Sequence, residues 1–105
     1  MRILELYDLL YRLKPSPVVA LNRAIAMGKI AGSEAGLAEI RHIPDAAKLR
    51  DYPFYHAAQG EFLLQAGRKP EAARYFITAM SLARSPAERT FFEAKADSCE
   101  DGRPA

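Results

Sequence analysis

Gly60 and Gly67 fix the centre of this chain. The stretch from Gly60 to Met80 places a small residue, a turn residue and then Ala72, Phe76 and Ala79 at helical spacing. Gly60 has no side chain to hold a second helix away. Gly67 can take the left-handed conformation that ends a helix. Phe76 is large enough to fill the gap that Gly60 leaves. Two helices, packed closely and joined by a tight turn at Gly67, satisfy all these residues at once.

The flanking sequence carries further helix signals. Residues 2–13 hold two apolar stripes, Ile3, Leu6, Leu10 and Leu13 on one and Leu4, Tyr7 and Tyr11 on the other. Two stripes on one helix imply two neighbours. The Leu4, Tyr7 and Tyr11 stripe is the expected self-association or upstream-domain face, which allows a homodimer through helix 1. Ser16 and Pro17 cap and start a second helix, expected to run to about Gly28. Val18, Leu21 and Ile25 form its apolar face, Ala20, Ala24 and Met27 a small-residue face, with Asn22 at the edge and Arg23 pointing away from Leu21. Ser33-Glu34 opens a third helix through roughly Ile40, anchored by Leu37 and Ile40. Residues 45–52 suit either one helical turn or a connecting loop. Pro53 starts a fourth helix ending at Gly67, and Pro70 a fifth. Ser85-Pro86-Ala87-Glu88 combines a capping serine, a first-turn proline and a glutamate three residues after the cap. The sixth helix is expected to carry Ala87, Phe91 and Ala94 inward.

Pro17, Pro53 and Pro86 are 36 and 33 residues apart. Together with the central hairpin, that spacing resembles the 34-residue tetratricopeptide repeat. The resemblance implies an all-α fold, a right-handed stack of antiparallel helical hairpins with about six helices. One domain over 1–97 would hold helix 1, two hairpins and a final helix, with 98–105 a flexible tail.

Composition narrows function by exclusion. The 105 residues carry a net charge of +2 with ten Arg and five Lys scattered, so no nucleic-acid stripe is visible. No apolar run approaches membrane-spanning length. Glu5 and Asp8 near the start are unlike a signal peptide. The lone Cys99 falls in a polar stretch, which suits a reducing cytoplasm. Gly28-Lys29-Ile30-Ala31-Gly32-Ser33 lacks the lysine directly after the last glycine and the preceding strand that a phosphate loop needs. His42 and His56 have no metal-ligand spacing. Ser16, Ser33 and Ser85 are expected as helix caps before nucleophiles. No convergent titratable set suggests a reaction, a cofactor or a metal.

A binding surface is the better expectation. In stacked hairpins the first helix of each pair lines a concave groove. That places Asn22, Arg23, Phe54, His56, Glu61 and Gln65 as the candidate partner-binding groove. Asn22 and Arg23 could hold a peptide backbone or carboxylate; alternatively Asn22 bonds a neighbouring loop and Arg23 is solvated. Phe54 and Tyr55 fit core contacts better than an aromatic cage. His56 and Gln59 stand where such repeats have large apolar residues, and interhelical hydrogen bonds would account for them.

Arg12-Leu13-Lys14-Pro15-Ser16-Pro17-Val18-Val19-Ala20-Leu21-Asn22-Arg23-Ala24-Ile25-Ala26 resembles something narrower, the C-terminal extension of bacterial extracytoplasmic-function sigma factors. Tyr7-Asp8, Gly36-Leu37, Tyr55-His56-Ala57-Ala58, Glu61-Phe62-Leu63, Gly67-Arg68, Glu71-Ala72-Ala73 and Ser85-Pro86-Ala87-Glu88-Arg89 fit the same group, over about residues 5–96. The resemblance implies a non-catalytic regulatory domain in the cytoplasm. Its partner would be a protein: the sigma-factor body, RNA polymerase or a regulator. The promoter-binding regions of a sigma factor are absent from this sequence, so no direct nucleic-acid contact is expected. A free-standing helical-repeat adaptor is the alternative.

Overall fold

Local signals set most helix ends. Ser16 and Ser85 both take extended backbone and accept a hydrogen bond from the first turn, at Val18 N (3.2 Å) and Glu88 N (3.1 Å). Pro17, Pro53 and Pro86 each start their helix, where a missing N–H leaves nothing unpaired. The computed structural model describes residues 3–99. Among these it forms six helices, α1 (Ile3–Leu13), α2 (Pro17–Ala31), α3 (Ser33–Arg41), α4 (Pro53–Gln65), α5 (Lys69–Ser81) and α6 (Pro86–Ser98). A single 3-10 turn, Ala46–Leu49, lies between α3 and α4, which decides between the two expectations for 45–52. The described residues contain no strand, so the fold is all-α.

The helices divide into two units, separated between Leu49 and Arg50. In the first, α2 packs against both α1 and α3. Helix α2 does not stop at Gly28, which is buried inside it; it continues to Ala31 and breaks at Gly32, whose φ of 106° only glycine adopts readily. Gly32, not Ser33, is therefore the N-cap of α3, and no side chain caps that helix. The buried line of α2 is Leu21, Ala24 and Gly28, while Val18 from the expected apolar face stays partly exposed. Small residues win that face because they let α3 approach, and α3 fills the space with Leu37 and Ile40 as expected.

In the second unit α5 packs against α4 on one side and α6 on the other. Gly67 has φ 80°, and the bonds Arg68 N to Leu63 O (2.9 Å) and Gly67 N to Leu64 O (3.0 Å) close α4 in a Schellman motif. Ala72, Phe76 and Ala79 are buried. A methyl group added at Gly60 would stand 3.0 Å from Phe76 Cζ and 3.1 Å from both Cε atoms. The ring thus sits end-on against bare backbone. Burying it contributes about 2–3 kcal/mol, and closing the gap with a methyl group would cost about 1–3 kcal/mol.

Helix α6 departs from the expectation most. Phe92, not Phe91, is the buried aromatic; Phe91 is 52% exposed, and Ala87 and Ala94 are exposed with it. Phe92 meets Phe54 edge-on at 5.3 Å, a contact that pulls that face of the helix inward. The same face carries Cys99 into a buried position, and the helix runs through Ser98, beyond the start expected for the flexible tail. The rest of that expected tail, 100–105, lies outside the described residues.

Candidate functional site

Arg23 is held from two directions within the first unit. Its Nε donates to Asp8 Oδ1 of α1 at 2.6 Å, and its Nη1 lies 3.3 Å from Glu39 Oε2 of α3. Helix α2 places Arg23 between the two carboxylates, so one guanidinium ties three helices. The Asp8 hydrogen bond holds its pKa above the ordinary value, against an opposing effect of partial burial, so the charge is permanent. Neither sequence expectation fits: Arg23 is not an open groove ligand, and it is not merely solvated.

The tie borders a cleft of about 510 Å³ that also takes in Tyr11, Arg12, His42, Ile43 and Pro44. Ile43 is buried and gives the cleft an apolar floor. His42 Nδ1 lies 2.7 Å from the carbonyl oxygen of Ala38, which can only accept, so the proton is on Nδ1 and Nε2 remains available. Arg12 has no ion-pair partner among the described residues. With Arg23 already shared between two carboxylates, Arg12 is the cation this cleft can offer a ligand. Sequence reasoning did not select Arg12 or His42. Arg12 lies within the Arg12–Ala26 run, but nothing local distinguishes it from other surface arginines.

Asn22 opens on a different side of α2. It borders a smaller cleft of about 220 Å³ with Ile3, Tyr7, Ile25 and Ala26, and makes no hydrogen bond among the described residues, so the expected loop bond is not formed. Asn22 and Arg23 are neighbours in sequence, but about 100° apart around a helix. They do not form one site.

The second unit disperses its share of the expected groove. Phe54 packs on Phe92 and lies 5.8 Å from Tyr52, so it is a core contact as expected. Glu61 pairs with Lys95 of α6 at 3.0 Å. His56 donates from Nε2 to the carbonyl of Arg50 at 2.8 Å, and Gln59 donates to Tyr55 O of its own helix at 3.1 Å. Both are satisfied, but neither bond joins two helices. His56 also borders a cleft of about 420 Å³ with Glu71, Arg74, Tyr75 and Thr78, away from Glu61 and Phe54. Gln65 is exposed near the end of α4.

The face of α1 is the other correction. Leu4, Tyr7 and Tyr11, expected to be free for association, are the half-buried side, and both tyrosines border clefts shared with α2 residues. The open stripe is Ile3, Leu6, Leu10 and Leu13. Tyrosine rings reach farther from the axis than leucine does. Each lines a cleft together with a small residue of α2, Ala20 for Tyr11 and Ala26 for Tyr7.

No group of three or more metal-ligating side chains comes together among the described residues. No helix there is long and apolar enough to cross a membrane. Among curated proteins, the chain is similar to an uncharacterized protein of Rhizobium meliloti (strain 1021), with 42% identity over 92 residues. That match covers 88% of this chain and 21% of the relative, so the chain spans about a fifth of that protein's length. No family model and no solved structure matches the chain.

Proposed function

We propose that this chain is a non-catalytic, protein-binding module of the kind that extends bacterial extracytoplasmic-function sigma factors, acting in the cytoplasm. The Arg12–Ala26 run carries this reading, because its order of charged, capping and small residues resembles that extension over a longer stretch than a generic helical hairpin requires. The similarity to about a fifth of a longer bacterial protein supports it, since an extension is a minor part of the chain that bears it. The module would contact the sigma-factor body, RNA polymerase or a regulator, with promoter recognition elsewhere.

The Arg12 cleft is the surface best equipped for such contact. It combines a guanidinium and a His42 Nε2 that have no partner among the described residues with a buried apolar residue, Ile43. Those groups suit a peptide segment with an acidic side chain next to an apolar one. The test is retention of bacterial RNA polymerase and of a sigma-factor body on the immobilised chain. Retention of at least one is expected, and Arg12→Ala should weaken it about tenfold, the loss of one charge-assisted hydrogen bond. If neither is retained, the transcriptional reading falls. If retention is unchanged by Arg12→Ala, the cleft is not the contact surface.

A further inference from the structure

Helix α5 carries two faces. Ala72, Phe76 and Ala79 are buried, with Phe76 against Gly60 of α4. Glu71, Arg74, Tyr75 and Thr78 share a second face, at three- and four-residue spacing and about a third of a turn away. His56, one turn before Gly60 on α4, lines the cleft of about 420 Å³ together with these four. All five residues belong to the second unit.

The hydrogen bonds within this group leave a definite set of donors and acceptors. His56 gives its Nε2 proton to Arg50 O at 2.8 Å, so Nδ1 of the neutral ring is an acceptor. The Thr78 hydroxyl gives its proton to Arg74 O at 3.0 Å, and its oxygen can only accept. Arg68 holds Glu71 through both carboxylate oxygens, at 2.9 and 3.3 Å. The Arg74 guanidinium has neither an ion pair nor a hydrogen bond among the described residues, and the Tyr75 hydroxyl has no hydrogen bond there. The cleft thus offers a guanidinium and a phenol O–H as donors, beside acceptors on His56 and Thr78.

We propose that this cleft binds a small aromatic carboxylate that also carries a hydroxyl or amine. The carboxylate accepts from Arg74, whose planar fork matches it with two parallel bonds, and from the Tyr75 O–H. The ligand's own donor faces His56 Nδ1 or Thr78 Oγ1, acceptors that a bare ring would leave unpaired. The flat side chains of His56 and Tyr75, both half-buried, favour a planar body between the two ends. Charge limits the ligand to one negative group. Arg74 is the only cation among the lining residues, and the nearby Glu71 carboxylate opposes a dianion such as phosphate. The volume is that of a small-molecule site.

The site is separate from the Arg12 cleft, and its test uses the chain alone, without polymerase. In an NMR titration with para-hydroxybenzoate, amide shifts should move saturably around His56 and from Glu71 to Thr78, with a Kd of about 1 mM. Benzoate, which lacks the hydroxyl, should bind about fivefold more weakly. Arg74 is exposed, so its replacement leaves the fold intact. Arg74→Ala should weaken the probe about tenfold and Arg74→Lys about threefold, because a point charge replaces the fork. Tyr75→Phe should weaken it about fivefold. Arg89→Ala, at an exposed arginine outside the cleft, should leave binding unchanged. No saturable shift with the ortho, meta or para isomer overturns the site, as does binding indifferent to Arg74→Ala or an equal loss in Arg89→Ala. Benzoate binding as tightly as para-hydroxybenzoate overturns the required donor. Displacement of the probe by equimolar inorganic phosphate overturns the carboxylate, and lactate binding as tightly overturns the aromatic body.

Discussion

At the scale of single residues, Arg23 and Asn22 show how far two adjacent polar side chains can differ. Arg23 bridges Asp8 and Glu39, joining α1 and α3 through α2. Half-exposed ion pairs are individually modest, but this guanidinium serves two carboxylates from two helices. Arg23→Ala is expected to cost about 1 kcal/mol, lowering the melting temperature by several degrees. Asn22→Ala, which breaks no hydrogen bond among the described residues, should leave the melting temperature within about a degree. Thermal denaturation of the two variants followed by circular dichroism separates these outcomes. Equal losses would show that the Arg23 tie is not formed in solution.

At the scale of elements, α6 combines a start governed by local chemistry with a buried face chosen by its neighbours. Glu88 lies three residues after the Ser85 cap, as in a capping box. Its carboxylate reaches one residue farther back than usual, accepting from Arg84 N at 2.9 Å and from Arg84 Nη2 at 2.9 Å. The Arg84 guanidinium, and then the Arg84 backbone N–H, hold the Glu88 pKa below its ordinary 4.5. A carboxylate with a lowered folded-state pKa stabilises the fold above its ordinary value, and that stabilisation is lost as pH falls through the lowered one. Between about pH 5 and pH 3, the melting temperature should therefore fall more steeply for the unchanged chain than for Glu88→Gln. Parallel curves would remove Glu88 from the acid response. The paired phenylalanines of α6 provide a separate measurement. Phe92→Ala removes a fully buried ring and should cost about 3–5 kcal/mol, whereas Phe91→Ala should cost less than about 1 kcal/mol. Chemical denaturation midpoints would reverse in order if Phe91 were the inward residue.

At the scale of the whole molecule, burial is uneven among the helices. Helix α5 carries Ala72, Phe76 and Ala79 at essentially no exposure, whereas α1 has no buried residue at all. Local opening follows buried apolar contact, so amide hydrogen exchange at low protein concentration should be fastest in α1 and slowest in α5. Protection of α1 equal to that of α5 in dilute solution would contradict the described exposure.

The sequence by itself determined the features whose causes are local. Pro17, Pro53 and Pro86 can start helices because a first-turn residue needs no N–H partner, and Ser16 and Ser85 cap within three residues. Gly67 ends α4 by a conformation set by its own backbone, and Gly60 with Phe76 announced the close hairpin through complementary size. Ser33 and the end of α2 were misplaced because Gly28 and Gly32 offer the same local signal; only packing buries the first and lets the second turn. Tertiary structure also decided which of two adjacent side chains faces inward, as with Phe91 and Phe92, since a step of one residue turns a helix by about 100°. It decided which stripe of α1 lies on α2. It gave Arg23 its role as well, because Asp8 and Glu39 lie fifteen and sixteen residues away along the chain. Composition and spacing carry no record of such distant partners, whereas caps and turns are written within a single turn of chain.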